Sequence, residues 1–453
     1  MHAEGRGEDG LKLEPTLASE LSGKTVLITG ADGFMGSHLA DACVEAGADV
    51  HAFVRATSSG SLNNIEHLRG LVRIHEGDIT DMHSVQTAYK AIRDRKPLIF
   101  HLAAQAHVGE SWDRPFETAT VNFLGTLNLL QAIVDLDMEI AMFDMAGTSE
   151  EYGNVPDDMK GSHHFDEHGR PMFHERSPIN PKSIYATAKV AADFVTINYF
   201  DAYGLPTVVT RMFNNYGPRQ NPRYVTGTII TQALEREEIR LGALDTMRDF
   251  CYCEDGVRGH LTVALKGRPD EVYCYGQGEN VSIGDWAQLI LRIGEEHGFW
   301  KSRRVVTDRA RLRPGQSDVA VLRVGYEKLH EETGWEPRWS WEDGLLETVE
   351  WYAANRDRWI TRIDWASRGC SSPGAPASWA GGSSRSSKRP GGRTSSCRRS
   401  TTTTCVPKTA SAARSTTGNP RASSTSPPSW AASAPTALTP AGSSTRTQSW
   451  ASS

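Results

Sequence analysis

No run of eighteen or more apolar residues occurs in these 453 residues, so no segment reads as a membrane-spanning helix and no membrane partner is expected. Residues 1–20 are polar and have no apolar core, which predicts neither export nor anchoring and makes a cytoplasmic protein the expectation. Cysteine is sparse and odd in number. The seven, Cys43, Cys251, Cys253, Cys274, Cys370, Cys397 and Cys405, include no Cys-x-x-Cys pair, which argues against a disulfide framework or a zinc knuckle. Cys251 and Cys253 alternate along a predicted strand and read as buried thiols. Acid is missing from one end: residues 366–453 hold eleven Arg and Lys and no Asp or Glu, and taking that +11 from the formal −6 leaves −17 on residues 1–365. So acidic a body is a poor nucleic-acid binder, and no nucleic-acid partner is expected. His163 and His164, with His168 nearby, lack the spaced carboxylates or cysteines that would complete a metal site, so no metal is assigned.

What the chain does have is alternation. Short apolar runs at Thr25–Thr29, Asp49–Val54, Val72–His75, Leu98–Leu102, Ile140–Asp144 and Thr207–Arg211 predict strands. Helical stretches at Ser37–Ala46, Ser84–Arg93, Pro115–Leu136 and Ser183–Tyr203 fall between them. This spacing reads as an α/β fold with a parallel sheet covered on both faces. Such sheets take ligands outside the carboxyl ends of their strands, where the loops at Gly30, His101–Gln105 and Ala146–Glu150 fall. After Arg211 the alternation loosens into a smaller lobe running to about Trp359. The expected organisation is a disordered tail at 1–22, a dinucleotide-binding domain with the catalytic residues at 23–210, a substrate-binding lobe at 211–362, and a disordered low-complexity tail at 363–453.

Gly30, Gly33 and Gly36 lie between the first strand and its helix, with Phe34 and Met35 inside the motif. The glycines allow a tight turn and close approach of backbone to a pyrophosphate seated on helix N–H groups. The second strand ends on Arg55, followed by hydroxyl residues, where an acidic residue would bind the ribose of NAD. A cation there favours a 2′-phosphate, so NADP is the expected cofactor, with NAD the alternative.

Tyr185 stands four residues before Lys189 on a predicted helix, which puts both side chains on one face. There the ammonium is expected to lower the phenol's pKa and make it a usable base. Thr148, Ser149 and Glu150 follow a strand and add a hydroxyl and a carboxylate, a second proton-transfer apparatus that simple alcohol oxidation does not need. Asn122 is expected to bond backbone beneath the site.

The glycine spacing and the Tyr-x-x-x-Lys pair resemble the short-chain dehydrogenase/reductases. From Gly23 to about Tyr352 the text resembles the extended members of that group that act on nucleotide-diphosphate sugars, and Thr148-Ser149-Glu150 resembles the Thr-Ser-Glu of GDP-mannose 4,6-dehydratases. The dTDP-glucose enzymes carry Thr-Asp-Glu there. The resemblance implies a Rossmann-type doubly wound parallel sheet with a smaller C-terminal lobe. It places Asp78 and Ile79 near adenine and runs Leu102, Ala103, Ala104 and Gln105 along the cofactor. It implies that Tyr185 takes the sugar's 4-hydroxyl proton, Lys189 holds the ribose, Thr148 holds the 4-oxygen, Glu150 removes the carbon 5 proton and Ser149 helps expel the 6-hydroxyl. Asn214, Arg219, Arg223, Arg258 and Arg313 are the expected diphosphate contacts, although the Arg211–Gln220 loop looks closer to dTDP- and UDP-sugar enzymes. A homodimer or homotetramer is implied, built through the two long helices. The alternatives are a 4-epimerase, a GDP-4-keto-6-deoxymannose reductase, and a cofactor-binding regulatory protein without turnover. The composition of the tail also fits out-of-frame translation. Reading Gly369–Arg385 two bases later permits a glycine-rich dinucleotide-binding opening, which resembles the start of GDP-fucose synthase.

Overall fold

The structure, a computed structural model, describes residues 13–57, 60, 62–312 and 318–359. The tail at 363–453 and Arg313 lie outside these residues.

Residues 1–22, expected as disordered, include helix α1 (Pro15–Leu21). Leu17 and Leu21, one turn apart, are buried in the main core, and that apolar pair is what holds the segment down. There follow β1 (Thr25–Thr29), α2 (Phe34–Glu45), β2 (Asp49–Arg55), β3 (Arg73–Gly77), α3 (Met82–Lys90) and β4 (Leu98–His101). The predicted helix Pro115–Leu136 is interrupted. It runs as Pro115–Ala119, a π-helical stretch Thr120–Leu124, and α4 (Gly125–Asp135). Next come β5 (Met142–Thr148), α5 (Ile184–Tyr203) and β6 (Thr207–Met212). Strand β5 extends four residues past its expected end because it stays paired in parallel with β6 as far as Thr148 opposite Met212.

The later segment contributes β7 (Asn214–Tyr216), α6 (Val225–Glu235), β8 (Phe250–Tyr252), α7 (Cys253–Lys266), β9 (Glu271–Tyr275), α8 (Ile283–Glu296) and α9 (Trp341–Ala354). Phe250 stacks on Trp286 of α8 with ring centroids 4.2 Å apart. Strand β9 pairs with β6, so the seven-stranded parallel sheet has the order β9-β6-β5-β4-β1-β2-β3. The sheet therefore takes its edge strand from beyond residue 211 and does not end at a single chain boundary.

Alternate residues of the strands feed two cores. Val26, Ile28, Val50, Ala52 and Phe100 pack with α1, α2 and α7, while Leu27, Phe53, Ile99, Phe143 and Val209 pack with α3, α4 and α5. The chain reverses direction across the sheet between β1 and β4, which opens a crevice at their carboxyl ends. Among the described residues no helix is long and apolar enough to cross a membrane.

Candidate active site

The glycine turn sits in that crevice. The Gly30 amide donates to the Phe53 carbonyl at 3.0 Å and the Gly33 amide to the Gly30 carbonyl at 2.8 Å. A methyl on Gly30 would lie 2.9 Å from Ala103 Cα, and one on Gly36 would lie 2.2 Å from the Gly30 carbonyl oxygen. Gly33 caps α2 without any side-chain hydrogen bond, so its first amides point at whatever binds there. These features fit a dinucleotide pyrophosphate. Phe34 opens the helix, and Met35 is buried against Gly256. Asp32 turns aside: its carboxylate accepts from the amides of Asn63 and Asn64 at 2.8 and 2.7 Å and pins the loop that follows β2.

Arg55, with 65 % of its side chain exposed, stands 3.9 Å from Asp78. Asp78 also accepts from the amide and hydroxyl of Thr80, and Ile79 is buried against Gly125. The Leu102–Gln105 segment is held from two sides. Ala103 N donates to the Thr29 hydroxyl at 3.2 Å, and Gln105 exchanges hydrogen bonds with the Asn122 amide at 2.8 and 3.1 Å. Asn122 reaches Gln105 from the π-helical stretch, a distortion often found at functional sites. His101 is locked between the hydroxyls of Thr29 and Thr126, and burial holds its ring neutral by lowering its pKa to about 3.

Ser183 caps α5 by accepting from Ala186 N at 3.1 Å, which starts the helix where Tyr185 and Lys189 share a face. Both are buried, at 8 % and 3 % exposure. The expected lowering of the phenol by the ammonium is not what the geometry produces. Lys189 Nζ donates instead to the Ala146 carbonyl at 2.8 Å. Burial drives the Tyr185 phenol upward, its hydrogen bond with Thr148 opposes this, and Tyr224, Glu150 and Glu151 add to the rise. Burial also lowers the Lys189 ammonium to about 8, against a smaller opposite effect of Glu151.

Thr148 ends β5 and caps the turn Ser149–Glu151. Its hydroxyl accepts from Glu150 N at 3.3 Å, and Glu151 Oε1 accepts from Thr148 N at 2.9 Å, a capping box. Ser149 and Glu150 are buried, and this strand end brings Thr148 and Glu150 to Tyr185.

The expected diphosphate contacts are spread out. Asn214 opens β7, and its buried carbonyl oxygen lacks a hydrogen-bond donor. Arg219 pairs with Asp41 of α2 at 2.5 Å and Arg223 with Glu110 at 3.0 Å. Arg258 corrects the expectation most clearly. It is buried between Asp255 at 2.6 Å and Glu14 at 2.9 Å, and it staples the N-terminal segment to α7. Among the described residues no group of three His, Cys, Asp or Glu side chains is placed to hold a metal.

Sequence reasoning missed Tyr224 and a buried cluster of Glu151, Asp193 and Arg211. Tyr224, at the N-cap of α6, acts on Tyr185, and burial pushes its own phenol up to about 12. The Thr-x-x-Glu capping pattern and the spacing of four through Tyr185, Lys189 and Asp193 were the available signals for the cluster.

A family model described as GDP-mannose 4,6 dehydratase matches residues 27–348. A dTDP-D-glucose 4,6-dehydratase of Mus musculus is 31 % identical over 341 residues, covering 74 % of this chain and 90 % of that protein. GDP-mannose 4,6 dehydratase 1 of Arabidopsis thaliana is 30 % identical over 337 residues, 70 % of this chain and 87 % of that one. The crystal structure of a dTDP-glucose 4,6-dehydratase from Streptomyces venezuelae with NAD bound superposes with a TM-score of 0.64 at 28 % identity, over 75 % of this chain and all (100 %) of that one.

Proposed function

The chain belongs to the GDP-mannose 4,6-dehydratase family of nucleotide-sugar dehydratases and epimerases, and on that footing we propose that it removes water from a nucleoside-diphosphate hexose to give the 4-keto-6-deoxy sugar. One observation carries this reading: Glu150, only 6 % exposed, lies at the end of β5 close enough to Tyr185 to oppose its ionisation. A dehydration needs that second proton acceptor, and a plain oxidation does not.

The Gly30–Gly36 turn would hold a nicotinamide dinucleotide, which would supply the hydride chemistry at carbons 4 and 6 of the sugar. The chain's residues manage the protons. Tyr185, acting as the phenolate, takes the 4-hydroxyl proton, and Thr148, bonded to its oxygen, holds the 4-oxygen. Lys189, whose ammonium the Ala146 carbonyl holds, binds ribose. With carbon 4 a ketone the carbon 5 proton is acidic. Glu150 removes it, Ser149 relays to the departing 6-hydroxyl the proton that Tyr185 took, so that it leaves as water, and Glu150 then returns its proton to carbon 5 as carbon 6 is reduced.

GDP-mannose is the first substrate of choice, because Ser149 stands where the dTDP-glucose enzymes carry aspartate. A second reading, dTDP-glucose, is favoured by the identity to the mouse relative. Asn214 is the amide donor assigned to the diphosphate. NADP is the preferred cofactor, because β2 ends on an exposed Arg55 rather than on a carboxylate. Phe116, Leu124, Phe194 and Tyr203, exposed on the helices around α4 and α5, support a homodimer through that face.

The test is to incubate the full chain with GDP-mannose, dTDP-glucose, UDP-glucose and UDP-GlcNAc and to follow loss of water by mass spectrometry. A product of unchanged mass with inverted carbon 4 would point to a 4-epimerase instead. Glu150→Gln is expected to bind cofactor yet lose solvent exchange at carbon 5. Undiminished turnover in that variant sinks the dehydratase reading.

A further inference from the structure

Behind the Thr148–Glu151 turn lies a charged cluster that the proposed chemistry does not use. Glu151 and Asp193 are both fully buried, and they share one guanidinium. Arg211 stands 3.1 Å from Glu151 Oε2 and 2.6 Å from Asp193 Oδ2. Arg211 also donates to the Tyr152 hydroxyl at 3.1 Å and the Glu175 carbonyl at 3.0 Å. Two buried carboxylates lean on one guanidinium, while the next cation, Lys189, gives its ammonium to the Ala146 carbonyl, a costly arrangement in a dry interior. The hydrogen bonding has the same gap. Glu151 Oε2 and Asp193 Oδ1 are both buried, and neither receives a hydrogen bond. The two carboxyls converge on one nitrogen, Arg211 Nε, which lies 3.1 Å from Glu151 Oε2 and 2.8 Å from Asp193 Oδ2. A single proton shared between them would satisfy the unbonded oxygens and leave one carboxylate charge against Arg211.

We propose that Glu151 is a positioning residue: with Asp193 it holds one proton against Arg211, fixes the Thr148–Ser149–Glu150 turn through its bond to Thr148 N, and keeps negative charge away from Lys189 and Tyr185. Several charged and titratable groups of the described residues face it. From α5 come Asp193, Lys189 and Tyr185, and from β6 comes Arg211. Cys274 of β9 and Glu175 lie behind Tyr152, and Glu150 and Tyr152 belong to its own segment. The Glu151 carboxyl is raised well above the usual range, first by burial and then by Asp193, with Arg211 opposing, which agrees with a protonated Glu151. Gly147 leaves the carboxylate its room, since a methyl there would lie 3.2 Å from Glu151 Oε1.

The two halves of the dyad then have opposite consequences. Gln at 151 imitates the protonated acid: its carbonyl accepts from Thr148 N and its amide donates to Asp193. Asn at 193 cannot share the proton, so Glu151 ionises against Arg211 and its charge faces Lys189. The effect on turnover rests on the roles given above to Lys189, Tyr185 and Glu150, whereas the shared proton does not.

Difference infrared spectroscopy on the full chain near neutral pH reads the proton directly. A carboxylic-acid C=O band is expected in the wild type and is expected to vanish in both Glu151→Gln and Asp193→Asn. If the spectra coincide in that region, Glu151 is ionised and the inference is overturned. The second readout is the pH at which turnover falls as Lys189 loses its proton. Asp193→Asn is expected to move it up by about one unit, and Glu151→Gln is expected to leave it in place while Glu151→Leu loses turnover with cofactor still bound. An equal shift in Glu151→Gln, or none in Asp193→Asn, overturns the inference as well. If no hexose nucleotide is turned over, the functional reading fails alone, and the infrared comparison still decides the dyad.

Discussion

Replacing Gly36 by alanine adds one methyl group at the tightest point of the glycine turn. That carbon would lie 2.2 Å from the Gly30 carbonyl oxygen and 2.9 Å from Ala31 Cα. The first distance is roughly 1 Å inside any tolerable contact. Both obstacles are backbone, so no rotamer change relieves them, and the turn must open away from the first turn of α2. Overpacking of this kind costs about 1–3 kcal/mol. The cost falls on the geometry that brings the α2 amides to a pyrophosphate, so binding of NAD(P) should weaken by about tenfold to a hundredfold. The melting temperature should drop by about 2–4 °C for each kcal/mol that the free protein also bears. Titration calorimetry with NADP and NAD, together with thermal melts, measures both. Gly161→Ala is the control, since a methyl there meets nothing within 4 Å. If Gly36→Ala binds cofactor and melts like the Gly161→Ala control, the close approach is not what the cradle depends on.

Three further outcomes are expected. Arg55→Ala should weaken NADP binding and leave NAD binding unchanged, and an equal loss for both would remove Arg55 from a 2′-phosphate site. Burial lowers Lys189 to about 8 from 10.5; between those values the unfolded chain binds more protons than the folded one, so this group makes stability rise with pH across that window and contributes no slope below it. Denaturant melts of wild type and Lys189→Met should therefore diverge in slope between pH 8 and pH 10.5, and parallel curves would contradict the burial argument. Phe116→Glu combined with Phe194→Glu should reduce the mass seen by light scattering, because the two side chains are 86 % and 53 % exposed on adjoining helices. An unchanged mass would move the dimer contact elsewhere.

The strands, the glycine turn and the Tyr185–Lys189 face were legible because each depends on local periodicity or a local backbone requirement. Apolar runs of strand length, a glycine triplet before a helix, and a spacing of four all hold wherever the chain goes afterwards. Thr148, Ser149 and Glu150 were legible as a strand-end group for the same reason. What the arginines do was not. Arg219, Arg223 and Arg258 carry the same charge in the text, and only the folded chain decides that Asp41, Glu110, Asp255 and Glu14 take them up. The edge strand Glu271–Tyr275 likewise joined the sheet through a pairing more than fifty residues away, which no local pattern encodes. Ionisation states belong to the same class. Lys189 and Tyr185 share a face by sequence, but burial and the Ala146 carbonyl set the charge on one and Thr148 bonds the other. The sequence by itself determined which groups stand on which element. The tertiary structure decided which of them pair, because pairing and desolvation depend on through-space neighbours that sequence spacing does not specify.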